Sequence, residues 1–236
     1  MVFIHGGGWV VGDLDTYDNA GRQHAVGADA LVVSVDYRLA PEHPYPAAVD
    51  DVWAATQWVA THAAELGADP DRLAVAGDSA GGNLAAVMTL LARDAGRPKI
   101  RFQLLWYPAT ALDPTLPSFA ENADAPILTA EGASGHSRLY IGAADMKDPP
   151  ATLVPARAAS FAGLPPAYVA VAGHDPLRDD GKNYGDLLAA AGVPVEVHDA
   201  TGLVHGYLGF DGVVPAATDA VHRALAALKA ALHPAR

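Results

Sequence analysis

The sequence predicts an α/β architecture: a mostly parallel sheet flanked by helices. Two features carry this expectation. Short apolar runs rich in Val and Leu recur along the chain, and longer helix-like stretches lie between them. Runs of that kind read as strands buried on both faces. Their alternation with helices reads as a parallel sheet with helices on its two faces. A third feature is a serine set between glycines, Gly77-Asp78-Ser79-Ala80-Gly81-Gly82, at the junction of one such run and the next helical stretch.

Taken in order, Val2 to Ile4 reads as a strand and Thr16 to Ala28 as a helix. Leu31 to Asp36 is the second strand and Ala47 to Leu66 the second helix. The run Leu73 to Ala76 leads into the serine turn, and Gly82 to Ala95 follows as a helix. Further strands are expected at Gln103 to Tyr107, Ala167 to Ala172 and Val195 to His198, with helices at Arg178 to Ala191 and Pro215 to Leu232. Residues 112–162 break the rhythm. They are proline-rich and hold one plausible helix, Thr129 to Ile141. An insertion of that length near a site reads as a cap. Its apolar residues Phe119, Leu128, Leu139, Tyr140 and Ile141 need a surface to cover.

At 236 residues and 51% hydrophobic content, the chain can form one large domain over 1–236, with 112–162 as a cap insertion within it. A net charge of -12 argues against nucleic acid or an anionic membrane as partner. The absence of cysteine excludes disulfides, thiolate metal sites and a cysteine nucleophile. The first residues, Met1-Val2-Phe3-Ile4-His5-Gly6, lack a basic region and a long apolar run, so no secretory leader is expected. No apolar stretch has the length of a membrane span. A cytoplasmic location is the expectation.

A strand, then G-x-S-x-G, then a helix is the nucleophile elbow. The tight turn demands small residues at Gly77 and Gly81 and pushes Ser79 out at the end of the sheet. His5-Gly6-Gly7-Gly8-Trp9 follows the first strand. Glycines there let backbone N–H groups turn inward to hold a developing oxyanion, together with the N–H of Ala80, the residue after the nucleophile. A phosphate loop would want a lysine or a helix start directly after the glycines, and neither is there.

The acid should lie just past a strand's carboxyl end. Asp175 follows the strand Ala167 to Ala172, whereas Asp179 and Asp180 suit the first turn of the next helix. His205 lies between glycines after the last strand and completes the order Ser…Asp…His. His198 and His174 are weaker candidates, one inside a strand and one on the wrong side of Asp175. In this scheme His205 takes the Ser79 proton, Asp175 orients and stabilises the imidazolium, and water then releases the acyl group. Activity is expected to fall on acidification, because the base must be neutral.

With these residues in hand, the chain resembles the hormone-sensitive-lipase-like family of α/β hydrolases over nearly its whole length. Bacterial carboxylesterases and arylacetamide deacetylases belong to that family. The resemblance rests on five stretches: His5-Gly6-Gly7-Gly8-Trp9, Asp36-Tyr37-Arg38-Leu39-Ala40-Pro41-Glu42, the Gly77 to Gly82 turn, Asp175-Pro176-Leu177-Arg178-Asp179 and His205-Gly206. The Gly-Asp-Ser-Ala-Gly form points to one subgroup. The resemblance implies an α/β-hydrolase fold and a serine esterase for short- to medium-chain acyl esters, with no metal or organic cofactor. It also implies that Gly7, Gly8 and Ala80 donate the oxyanion-hole hydrogen bonds and that His5 holds the glycine loop. Trp9, Val204 and Tyr207 are candidates for the substrate pocket, with core packing an equal expectation for Trp9. Arg38 and Glu42 are expected to pair in a proline-stiffened scaffold turn.

Family members carry a substantial segment before the glycine loop, whereas this sequence starts at Met1. An N-terminally shortened fold with a partial cap is therefore expected, with an open and weakly discriminating site. The strand Leu31 to Asp36 would lie at a sheet edge, and an uncovered apolar edge pairs readily with another chain, so a homodimer is expected. Two other functions fit the same fold. One is an amidase or carbamate hydrolase on the same triad. The other is a non-catalytic binder like the plant gibberellin receptors, which resemble the family but have lost the base. The presence of His205 speaks against the binder.

Overall fold

Val75 and Ala76 are neighbours in the chain, yet they belong to different apolar layers on opposite faces of one sheet. The same alternation sends Val2 and Ile4 one way and Phe3 the other, and it separates Val169 and Val171 from Tyr168 and Ala170. A period of two with apolar residues on both sides marks strands covered on both faces. In the computed structural model, which describes residues 1–234, six strands form the sheet.

The chain runs β1 (Val2–Ile4), α1 (Asp18–Ala28), β2 (Val33–Val35), α2 (Ala47–His62), β3 (Leu73–Asp78), α3 (Ala80–Ala95) and β4 (Ile100–Trp106). It continues through α4 (Pro117–Glu121), α5 (Ala130–Ile141), β5 (Ala167–His174), α6 (Arg178–Ala190), β6 (Val195–Val204) and α7 (Pro215–Leu232). The strand order is β2-β1-β3-β4-β5-β6 and every pairing is parallel. Helices α2, α3 and α6 supply one apolar layer with residues such as Val52, Leu84 and Leu188. Helices α1 and α7 supply the other with Ala28, Val221 and Leu225. Parallel pairing places the carboxyl ends of all strands on one side, where the loops that follow them converge.

The expected elements are present, with boundaries moved for identifiable reasons. Helix α1 starts at Asp18 rather than Thr16, because Asp13 Oδ1 accepts the Thr16 N–H at 2.7 Å and holds 13–16 in a turn. Helix α2 stops at His62 instead of Leu66, and a turn at Gly67 with φ +78° follows it. Strand β6 runs to Val204, six residues past the expected end, because it stays paired with β5 up to His174. Its polar residues conceal it from an apolar-run criterion.

In the insertion, α5 matches the expected helix, and Thr129 caps it by accepting the Gly132 N–H at 3.0 Å. The five-residue α4 carries no periodic signal. Phe119 and Tyr140 from the insertion are buried against the same layer as α2 and α3.

The expected pairing of Arg38 with Glu42 does not form. Arg38 grips Asp51 on α2 with two hydrogen bonds of 2.8 Å, and Glu42 is exposed. The planar guanidinium matches both oxygens of a carboxylate set on a rigid helix. The turn does act as scaffold. The Tyr37 hydroxyl donates to the His5 carbonyl at 2.8 Å, and the Ala40 N–H donates to the Trp9 carbonyl at 2.8 Å. Strand β2 lies at one sheet edge as expected, although it is only three residues long; β6 forms the other edge. Among the described residues, no helix is long and apolar enough to cross a membrane.

Candidate active site

Ser79 sits between the end of β3 and the start of α3 with φ 55° and ψ −116°. A side chain at positive φ costs about 1–3 kcal/mol and survives only where neighbours enforce it. Here the Ser79 N–H donates to the Trp106 carbonyl on β4 at 2.8 Å. A Cβ at Gly81 would run into the Ile4 carbonyl, so only glycine lets α3 pass this close to β1. The first turn of α3 follows directly, with its N-terminal partial positive charge at the serine.

His205 follows β6 and Asp175 follows β5. The two strands are paired, which brings residues 30 positions apart into contact. His205 Nδ1 lies 2.7 Å from Asp175 Oδ2, and His205 Nε2 lies 3.0 Å from Ser79 Oγ. With its proton on Nδ1 the ring donates to the carboxylate, and Nε2 is then free to accept from the serine hydroxyl. The other Asp175 oxygen accepts the Leu177 N–H at 2.8 Å. Asp175 is fully buried and Ser79 and His205 nearly so.

The alternative acids do other work. Asp180 is buried and gathers the N–H groups of Thr110 and Ala111 at 2.8 and 2.7 Å, along with the Thr110 hydroxyl. Asp179 accepts the Ser118 N–H at 2.9 Å. The insertion grips the acid turn: the Ser118 hydroxyl donates to the Pro176 carbonyl at 2.6 Å, and Asn122 Nδ2 donates to the Asp175 carbonyl at 3.2 Å.

The glycine loop lies beside the serine. Gly7 and Gly8 have φ of +104° and +61°, and the Gly7 carbonyl accepts the N–H groups of Val10 and Val11 at 3.1 and 3.0 Å. His5 is buried and its Nδ1 donates to the Gly6 carbonyl at 2.8 Å. That carbonyl shares a planar peptide with the Gly7 N–H, so fixing one fixes the direction of the other. Burial lowers the His5 pKa, which keeps this ring neutral and structural.

A cavity of about 320 Å³ opens over Ser79 and His205. Gly7, Gly8 and Trp9 of the glycine loop border it, as do Leu128, Ala133 and His136 of the insertion. Trp9 is 2% exposed and serves two purposes: it walls the cavity, and it stacks on Tyr140 of α5.

Val204 and Tyr207 do not border the cavity. Tyr207 opens a short 3-10 turn that carries it into the core, edge-on to Trp106 and Tyr107. Gly206 lies at the cavity in their place. Sequence reasoning missed Asp78 and Tyr17, which also reach the cavity. Asp78 was legible only as part of the serine motif, and Tyr17 carried no signal.

Comparisons with known proteins identify the relatives of this chain. A sequence model of a family described as having the alpha/beta hydrolase fold matches residues 1–209. Esterase LipI of Mycobacterium tuberculosis is 65% identical over 233 residues, covering 99% of this chain and 73% of that protein. Carboxylesterase NlhH of the same organism is 59% identical over 236 residues, covering 99% of this chain and 74% of that one. Among solved structures, DphMB1 superposes with a TM-score of 0.96 at 70% identity, covering 98% of this chain and 76% of the other. Matches of that identity and extent leave one conclusion: the chain belongs to the α/β-hydrolase fold family, in its hormone-sensitive-lipase-like carboxylesterase branch.

Proposed function

We propose that this protein is a serine carboxylesterase that cleaves small acyl esters through an acyl-enzyme on Ser79. One observation carries the reading: an unbroken hydrogen-bonded relay from Asp175 through His205 to Ser79, with links of 2.7 and 3.0 Å. In the first half-reaction His205 Nε2 takes the serine proton as Oγ attacks the ester carbonyl, and then returns it to the leaving alcohol. In the second half-reaction His205 activates a water that frees the acid. Asp175 holds the tautomer and offsets the charge of the imidazolium. Gly7, Gly8 and Ala80 are the proposed oxyanion donors, supported by the glycine loop and the α3 N-terminus meeting at the serine. Losing one donor of this kind costs about 3–4 kcal/mol of transition-state stabilisation.

Residues 112–162 act as a partial cap in this reading, supported by Leu128 and His136 over the cavity. A cavity of about 320 Å³ suits short- to medium-chain acyl groups. The relay would serve an amide as well, so an amidase is the second reading. The names of the relatives, esterase and carboxylesterase, favour the ester. A homodimer in the cytoplasm is the proposed setting, with the outer strands β2 and β6 of the described sheet as the surfaces able to pair. Light scattering that shows a monomer at high concentration overturns the dimer.

The test is hydrolysis of a short-chain aryl ester beside the matching anilide. The ester should turn over faster, and Ser79→Ala should reduce turnover by about a million-fold. Comparable turnover of the variant and the parent protein rejects the mechanism.

A further inference from the structure

Asp78 is a buried carboxylate with no part in the relay. It ends β3 beside the nucleophile, and its Oδ1 accepts the Gly6 N–H at 2.8 Å across 72 residues of sequence. Its Oδ2 receives the Tyr17 hydroxyl at 3.2 Å from the segment that leads into α1. We propose that Asp78, held by Tyr17, is a positioning residue for the oxyanion loop and sets the direction of the Gly6–Gly7 backbone relative to Ser79. The inference deepens the serine-esterase reading and rests on it.

Two independent geometric facts support the assignment. First, both polar backbone groups of Gly6 are taken by side chains: the N–H by Asp78 and the carbonyl by His5 Nδ1. The peptides on either side of Gly6 are thereby fixed in rotation, including the one that ends in the Gly7 N–H. Second, a Cβ at Gly6 would stand 2.5 Å from Asp78 Oδ2 and 2.9 Å from the Tyr17 hydroxyl. The carboxylate and the phenol occupy the space that any side chain there would need. The first glycine of the loop is thus explained by this clamp. The other two glycines have positive φ, whereas Gly6 does not.

The chemistry suits a positioning role. The oxyanion forms only in the transition state, so donors aimed at it must be fixed in advance. Backbone donors on a three-glycine loop lack side-chain packing of their own and depend on outside anchors. The Asp78 carboxyl group presents two oxygens at once, one taken by the Gly6 N–H and the other by the Tyr17 hydroxyl. Asparagine at this position keeps an acceptor for Gly6 and can donate its amide to the Tyr17 oxygen. Alanine keeps neither.

The experiment measures kcat and KM on an aryl ester, together with the affinity for a trifluoromethyl ketone that forms a tetrahedral adduct with the serine. Asp78→Ala should lower kcat about 10- to 100-fold, leave KM within about 3-fold, and weaken the inhibitor by a matching factor. Asp78→Asn should recover kcat to within about 3-fold of the parent protein, because the hydrogen bonds and not the charge carry the effect. Tyr17→Phe should cost kcat about 3- to 10-fold. The clamp is overturned by a folded Asp78→Ala with full kcat, by an asparagine variant as impaired as alanine, or by a kcat loss without weaker inhibitor binding. Should Asp78→Ala fail to fold, Tyr17→Phe decides: unchanged kcat and inhibitor affinity reject the clamp. Ser79→Ala separates the two hypotheses. If it stays active, the esterase reading falls; if it is dead while Asp78→Ala is fully active, only the clamp falls.

Discussion

Trp9 lies flat on Tyr140, with ring centroids 4.3 Å apart and planes within 1°. One ring belongs to the glycine loop and the other to α5 of the insertion, so this stack joins two segments that both border the cavity. Tyr45 meets the same tyrosine edge-on at 6.0 Å, and the Tyr45 N–H donates to the Tyr140 carbonyl at 2.8 Å. The insertion is therefore anchored through aromatic packing beside the glycine loop.

Truncating that anchor should cost stability and loosen the site together. Tyr140→Ala is expected to destabilise the protein by about 3–5 kcal/mol, the range for emptying a buried aromatic position. Denaturant melts measure the loss. KM for the aryl ester should rise as the cavity wall loses its support, and an unchanged KM would show that the stack serves the core alone.

Asp175→Asn tests the orienting link. The asparagine amide can turn its N–H toward His205 and favour the wrong tautomer. Turnover should then drop about 10⁴-fold while the fold is kept. A loss under tenfold would mean that the carboxylate does not set the ring's proton.

Burial raises the Asp78 carboxyl pKa to about 6 from its usual 3.8, against the pull of the Gly6 N–H, the Tyr17 hydroxyl and the nearby His205. The folded pKa exceeds the unfolded one, so the folded state holds the proton more tightly. Its stabilising contribution is complete below pH 3.8 and is lost as pH rises through about 6. Asp78→Asn removes this titration. Plotted against pH, the stability of the parent protein relative to the variant should fall between about 4 and 6 by roughly 2–3 kcal/mol and stay level above. A flat difference across that window would contradict the raised value.

Gly81→Ala places a methyl group against the Ile4 carbonyl. Strain should cost about 1–3 kcal/mol or more, since backbone on both sides must shift. Ser79 should move out of reach of His205, which a Tm measurement and an ester assay on the same sample would reveal together. Full activity with an unchanged Tm would show that the elbow tolerates a side chain there.

Much of the site was legible before folding because its chemistry is tied to local pattern. Ser79 stands in a turn that demands glycines, Asp175 directly follows a strand, and His205 lies between two glycines after another. Such positions declare themselves through backbone needs. Asp78 and Tyr17 were not legible as a pair, because nothing at either position signals a partner 61 residues away. Tyr207 misled for the complementary reason. Two residues from the histidine in sequence, it points into the core because a 3-10 turn reverses the chain at Gly206.

By itself, the sequence determined the alternation of strands and helices, the elbow and the order of the three relay residues. Hydrophobic period and glycine placement are local properties and act on each segment separately. Only the tertiary structure decided that Asp78 joins His5 in anchoring the glycine loop, that Arg38 grips Asp51 instead of Glu42, and that the insertion clasps the acid turn through Ser118 and Asn122. Those contacts join distant segments, and a hydrogen bond a few ångströms long exists only once the sheet has set the distance between them.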